Sequence, residues 1–370
     1  MKNKVLLGLG AGAVLGSCAA QAQLTLSAPL TALSGFGNNG WLAPGSSTYI
    51  TTGTTERGLT YADGDLFLTS RASGNTIQIL SPTTGADIGS LNTTGITGGT
   101  FAIDAIAAGG DGTVYVANLT TSATSPFKIY AYSPTAIANN TAPTVAYSGN
   151  PIIGTRFGDD LAAIGSGSST LLVAGSGTGS SGYEVINPSL GTATAISFTG
   201  SPPAAKDFSL GIAFLNSSTV IGTQGGTGAA RLSTFSGTTG TLVSSPTLSG
   251  TADRPLAYTT VNGQSILLSM STGDNHITAY YASNPSSLVS ASSVIVATGT
   301  LTANGNGTGS IVVGPEVTNP DGSVTVDVYG LSTSDGISGA QFTVAPVPEP
   351  STIALGVMGI GAGLLWRRRR

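Results

Sequence analysis

The chain has 370 residues, of which 13 are Lys or Arg and 17 are Asp or Glu, so only 8% carry a charge, against about 25% in an ordinary globular domain. Glycine supplies 54 residues and 40% of the chain is hydrophobic, a balance too apolar for a disordered linker and too poor in charge for a cytosolic helical enzyme. Binding a phosphate backbone needs clustered cations, which argues against nucleic acid as a partner.

Residues 1–22 read as a secretory signal peptide. Lys2 and Lys4 form the positive start, residues 5–16 an apolar run, and Ala20-Gln21-Ala22 sets small residues at a cut ahead of Gln23. A competing reading takes Leu15-Gly16-Ser17-Cys18 as a lipoprotein box with Cys18 acylated. With the cut after Ala22 the mature protein has no cysteine, which removes disulfides, thiolate nucleophiles and cysteine-ligated metals.

The body, residues 23–347, holds seven basic and sixteen acidic side chains, a net charge of −9. Its Gly, Ser, Thr, Ala and Val favour strands and turns over helices. One pattern recurs: an apolar-alternating segment, a turn, a second strand, a Gly/Ser-rich loop, a third strand and another turn. The first copy has strands over residues 58–61, 65–70, 75–80 and 86–91, with turns at Ala62-Asp63-Gly64 and residues 81–85. Second strands begin at Leu66, Val114, Leu171, Val220, Ile266 and Val324, spaced by 48, 57, 49, 46 and 58 residues. Third strands recur at residues 75–80, 127–132, 183–187, 231–235, 276–281 and 340–344. Four-stranded units of this length with no helical period between them predict an all-β fold, a β-propeller of six blades. Seven blades, the extra one built from residues 24–53, and a β-helix are the alternatives. The sixth unit lacks a fourth strand, and the segment of residues 41–53, with strand-like Thr48-Tyr49-Ile50-Thr51, is expected to supply it and close the ring. Closure removes exposed sheet edges.

The C-terminus reads Val347-Pro348-Glu349-Pro350-Ser351-Thr352, an apolar run over residues 353–366, then Arg367-Arg368-Arg369-Arg370. The proline pair keeps the motif extended, and the arginines hold the end in the cytoplasm. The apolar run is shorter than the roughly 20 residues of a comfortable span. These residues resemble the PEP-CTERM sorting signal of bacteria that secrete exopolysaccharide, with Pro348, Glu349 and Pro350 matching its motif over residues 348–370. The resemblance implies an exosortase-type enzyme that cleaves near the motif, transient membrane insertion of an inner-membrane precursor, and a final place at the cell surface or in the extracellular matrix. A permanent C-terminal anchor is the competing reading.

A second resemblance lies in the body. Trp41-Leu42-Ala43-Pro44-Gly45, Arg57-Gly58-Leu59-Thr60-Tyr61, Thr83-Thr84-Gly85-Ala86-Asp87, Gly98-Gly99-Thr100-Phe101-Ala102, Tyr115-Val116-Ala117-Asn118-Leu119-Thr120 and Pro126-Phe127-Lys128-Ile129-Tyr130 are similar to a family of bacterial exported propellers of unassigned function. The likeness covers residues 41–132 and implies the propeller without an activity.

His276 is the single histidine. A Ser–His–Asp arrangement therefore has only His276, with Asp274, to draw on, and no Gly-x-Ser-x-Gly elbow accompanies it. Zinc sites built from several His or Cys are removed for the same reason. The scarce charges gather before the first strand of successive units: Glu56 and Arg57, Asp104, Asp159 and Asp160, Lys206 and Asp207, Asp253 and Arg254, with Asn304 and Asn306 in the sixth. In a propeller these positions share one rim of the channel, joined by loops carrying Arg71, Asn118, Gln224 and Asp274. Glu56, Asp104, Asp160, Asp207 and Asp253 are candidate ligands for Ca²⁺, the one cofactor considered, or for the polar groups of a sugar. The competing structural reading has each acid bonded to backbone amides of the next blade or neutralised by an adjacent Arg or Lys.

Three functions follow. The first is a non-enzymatic surface propeller that binds or organises exopolysaccharide or another surface protein. The second is a Ca²⁺-dependent hydrolase, lactonase or lyase acting at the rim, and the third a passive coat component.

Overall fold

Period-two alternation and turn residues place the strands where the repeat puts them. A computed structural model describes residues 26–178, 182–200, 202–224, 229–250 and 252–346. The signal peptide, Cys18 and the sorting tail lie outside the described residues. The observed third strands are Thr76–Leu80, Phe127–Tyr132, Tyr183–Asn187, Arg231–Ser236, His276–Tyr281 and Gly336–Val344. Five of them start within one residue of expectation, and the sixth starts four residues early. Asn262-Gly263, the two-residue link between strands Asp253–Val261 and Gln264–Ser271, has φ of 48° and 70°. Two successive positive φ values make a type I′ hairpin turn, which Asn-Gly adopts with little strain and which matches the strand twist.

Among the described residues the strands form five sheets. Three are antiparallel four-stranded meanders, of residues 56–90, 106–149 and 253–295. An eight-stranded sheet consists of two more meanders, 162–198 and 211–244, whose outer strands meet in a short parallel pairing, Ser197 with Thr239 and Phe198 with Gly240. Glycine is needed there, because a Cβ at 240 would stand 2.8 Å from Ile196 Cγ2. The remaining sheet joins Gly309–Thr318, Val324–Ser332 and Gly336–Val344 to the N-terminal strand Leu26–Ala32.

The first strands of the meanders, Glu56–Ala62, Ile106–Ala108, Ala162–Ile164, Gly211–Asn216, Asp253–Val261 and Gly309–Thr318, adjoin one another in turn, and the last returns to the first. The arrangement is propeller-like. Leu171–Gly175 and Tyr183–Asn187, a second and a third strand, are buried on both faces, whereas outer strands such as Asp87–Ser90 and Val289–Ile295 are largely exposed. The core is therefore a set of apolar layers between neighbouring sheets. One such layer stacks Tyr183, Phe198, Phe208 and Phe235 at centroid separations of 5.0–6.0 Å.

The closing strand differs from expectation. Leu26–Ala32, not the segment around Thr48–Thr51, completes the sixth meander by pairing antiparallel with Gly336–Val344, and Trp41-Leu42 pairs with the opposite end of that strand. Tyr49 and Ile50 instead pack with Leu59, Leu66 and Leu80 in an apolar cluster, because both are large and buried. Residues 26–53 contribute no sheet of their own among the described residues.

Leu30 is 4% exposed and anchors the closing strand among Val326, Val328, Ala340 and Phe342. Leu30→Ala is expected to lower unfolding free energy by about 2–5 kcal/mol in a denaturant titration, through the cavity it leaves. Val145→Ala, on a side chain 59% exposed in an outer strand, is expected to change it by less than about 0.5 kcal/mol.

Candidate functional site

Arg57 lies near the start of the first inner strand, Glu56–Ala62, at a register shift between Glu56 and Gly58 in its pairing with Asp65–Ser70. Its guanidinium reaches three other parts of the ring. Nε donates to Asp104 Oδ1 at 3.2 Å and Nη2 to Asp159 Oδ1 at 3.3 Å, ahead of the second and third meanders. Nη1 donates to Thr308 Oγ1 at 2.7 Å, ahead of the sixth. The Thr308 hydroxyl donates to Thr333 Oγ1 (3.1 Å), which in turn donates to the Glu56 carbonyl (2.7 Å), so the contact returns to the strand that carries Arg57.

Two further arginines join the same two acids, so three guanidinium groups face two carboxylates. Arg71 donates to Asp104 and to the carbonyls of Ile103 and Thr54, and lies 3.8 Å over the Phe101 ring. Arg156 grips Asp159 with both ends of its fork, Nε at 2.5 Å and Nη2 at 2.6 Å. Arg57 and Asp104 are 3% and 0% exposed, so the pairs act in a low dielectric where each ion needs its partner. Full burial raises the Asp104 carboxyl from 3.8 to about 6, against the pull of Arg57 and Arg71.

The other candidate acids have separate partners. Asp160 accepts from its neighbour Leu161 N–H and from Ile212 N–H in the next meander, both at 2.8 Å. Glu56 Oε1 accepts from the Thr51 amide and the Thr51 and Thr55 hydroxyls, all local. Asp207 binds Arg231 at 2.7 Å and the Ala204 amide. Asp253 Oδ2 accepts from Tyr280 OH at 2.9 Å and Gly250 N–H at 3.1 Å. The structure thus brings Asp104 together with Asp159, while Glu56, Asp160, Asp207 and Asp253 stand apart. Among the described residues no group of three or more His, Cys, Asp or Glu is placed to hold a metal ion. The joining loops behave likewise: Asn118 bonds the Pro126 carbonyl and Lys128 amide of its own unit, and Asp274 pairs with His276.

Sequence reasoning missed Asp159 as a bridging acid and Thr308 as its neutral counterpart. The available signal was Arg57 itself, a cation among apolar residues at the start of an inner strand.

Beyond the Arg57 cluster the channel holds a cavity of about 230 Å³ walled by the inner strands, with Leu59, Ala107, Ala162 and Ala257 among its lining residues and Tyr61 and Tyr258 also on its wall. Asp160 is the one carboxyl on that wall. A second cleft, about 610 Å³, lies on the fifth meander and is lined by Ser249, Asp253, Ser271, Asp274, His276 and Ser293, among others.

An all-β ring with a buried ionic cluster at one end of its channel defines a propeller-like body, and the comparisons agree. The DUF4623 family, a domain of unknown function, matches residues 42–274, and the chain belongs to that family. The match runs well past residue 132, where the likeness read from sequence faded. The PEP-CTERM protein-sorting motif matches residues 346–370. It implies export, processing by an exosortase-type enzyme and a surface or extracellular place after processing. A crystal structure of a DUF4623 family protein from Bacteroides eggerthii DSM 20697 is 17% identical, with a TM-score of 0.61 over 86% of this chain and 77% of that one. This likeness supports the fold. A protein of unknown function from Dyadobacter fermentans DSM 18053 is 10% identical, with a TM-score of 0.48 over 88% of this chain and 99% of that one. The major Malassezia sympodialis allergen Mala s 1 is 10% identical, with a TM-score of 0.47 over 79% and 92%. No curated protein matches the chain. Among the described residues no helix is long and apolar enough to cross a membrane.

Asp160 supplies a pH test. Burial raises its carboxyl from 3.8 to about 7 even though two backbone amides favour the charged form. A carboxyl raised in the folded state stabilises the fold fully below its ordinary value, and that contribution is lost as pH rises through about 7. The Tm of the wild type is expected to fall between pH 5 and pH 8, and in Asp160→Asn this fall is expected to shrink by a few degrees, about 2–4 °C per kcal/mol.

Proposed function

We propose that this protein is a non-enzymatic binding or structural component of the extracellular matrix, associated with exopolysaccharide or with other surface proteins. The observation that carries the reading is the sorting motif at residues 346–370, attached to a body with few free charges. In this account residues 1–22 are removed after Ala20-Gln21-Ala22, residues 23–347 form the propeller domain, and residues 348–370 form the sorting signal. The eight-stranded sheet counts as two blades, giving six. Before processing, Arg367, Arg368, Arg369 and Arg370 stop the precursor in the inner membrane by the positive-inside bias.

The alternative, a Ca²⁺-dependent hydrolase, lactonase or lyase at the rim, needs converging and accessible carboxylates. Each rim acid has at least one oxygen bonded to an arginine, an amide or a hydroxyl, which supports binding or structure over catalysis. A matrix role also suits an acidic body whose outer strands expose Ser and Thr interspersed with Val and Ile: a polymer partner is held through many weak contacts.

Mass spectrometry of the mature protein tests the export half of this reading. The expected C-terminus lies near Pro348-Glu349-Pro350, without the arginine cluster, and Glu349→Ala is expected to accumulate as an uncleaved, membrane-associated form. A wild-type protein that retains Arg370 contradicts the reading.

A further inference from the structure

The cleft on the fifth meander is not explained by the ionic cluster. It forms because antiparallel strands bring four ends together: the start of Asp253–Val261, the end of Gln264–Ser271, the start of His276–Tyr281 and the far part of Val289–Ile295. Those ends deliver Asp253, Ser271, His276 and Ser293 to one hollow of about 610 Å³, within the range of ligand clefts.

Asp253 is the telling residue. It is 3% exposed, and its Oδ2 is saturated by Tyr280 OH and Gly250 N–H. Its Oδ1 is buried with no hydrogen-bond partner among the described residues. A buried acceptor left unpaired is unfavourable; Glu56 Oε2 and Glu184 Oε2 are placed likewise, but of these three acids Asp253 is the one that lines this cleft. Glycine at 250 keeps a side chain from crowding that oxygen, since a Cβ there would sit 2.7 Å from Oδ1.

The neighbouring groups share the same bias. Asp274 Oδ2 meets His276 Nδ1 at 3.2 Å, which orients the imidazole and leaves Nε2 as its free nitrogen. Burial acts to raise the Asp274 carboxyl, but bonds from Ser271 and His276 outweigh it and hold the group below its ordinary value, so it stays ionised. Hydroxyls of Ser249, Thr278 and Ser293 add acceptors and rotatable donors, and no Lys or Arg lies among the described lining residues. Such a cleft suits a ligand that brings hydroxyl donors and no negative charge. A uronate or phosphate would meet two carboxyl groups without a compensating cation.

We propose that this cleft binds neutral, hydroxyl-rich sugar residues, with Asp253 Oδ1, Asp274 and His276 Nε2 as the groups that meet sugar hydroxyls. The inference rests on the exopolysaccharide reading and narrows it to uncharged glycans. Hydrogen bonds supply the affinity, because no aromatic platform lies among the described lining residues, and a polymer gains avidity by occupying many copies displayed on one surface.

Calorimetric titration of the mature protein with cellohexaose and with hexaguluronate tests it. The neutral oligosaccharide is expected to bind, and the uronate to bind about tenfold more weakly or not at all. His276→Ala and Asp274→Asn, both partly exposed side chains, are each expected to weaken cellohexaose about fivefold or more while lowering the Tm by no more than about 2–4 °C. Equal affinity for both oligosaccharides overturns the proposal. So do variants that bind cellohexaose like the wild type, and if exopolysaccharide purified from the producing cells still binds, the broader reading stands without the cleft. Absence of binding to either oligosaccharide and to that exopolysaccharide removes both.

Discussion

A single guanidinium ties the ring together where its inner strands begin. Arg57 leaves the first inner strand and bonds Asp104, Asp159 and Thr308, which precede the second, third and sixth. In a buried setting each of these bonds is charge-assisted, and the loss of a partner leaves a buried polar group one hydrogen bond short. The inner strands therefore hold a fixed order and spacing, and that end of the channel is occupied by side chains. The Asp104 and Asp159 carboxylates, which in isolation resemble a ligand set, are consumed in holding the ring.

Elsewhere the seams between meanders use short neutral side chains. Thr69 Oγ1 donates to the Asp104 carbonyl at 2.5 Å, Ser310 Oγ to Leu59 O at 2.9 Å, and Thr333 Oγ1 to Glu56 O at 2.7 Å, while Thr223 Oγ1 donates to Arg254 O. Such bonds need close backbones. Glycine at 211 permits one of them, since a Cβ there would fall 1.5 Å from the Arg254 carbonyl oxygen. The scarcity of charge and the abundance of Gly, Ser and Thr thus have one cause. Sheets packed this tightly are joined by hydroxyl-to-carbonyl bonds, which avoid the desolvation that buried ion pairs incur.

Most strands were legible because they are local: period-two alternation bounded by turn residues specifies them without knowledge of the partner. The closing strand was not, because Pro29 interrupts Leu26–Ala32 and reads as a breaker. An outer edge tolerates that proline, and the pairing with Gly336–Val344 shifts register around Ala28 to absorb it. At the rim the clustering of charge was visible, but which of two adjacent acids faces the axis was not. Register decides it: Asp159 turns to Arg57, and Asp160 turns to the Ile212 amide. The Asp274–His276 pair was readable as near neighbours in sequence. Its convergence with Asp253 depends on pairing across the whole fifth sheet and left no local mark.

The most direct test of this account is a double-mutant cycle on Arg57→Met and Asp159→Asn, followed by equilibrium unfolding of both single variants and the pair. A ring held by Arg57 predicts a coupling energy of about 1–3 kcal/mol, with the double variant less destabilised than the two single losses together. Additive losses, with coupling near zero, would show that Arg57 does not bear on Asp159 and would contradict the account.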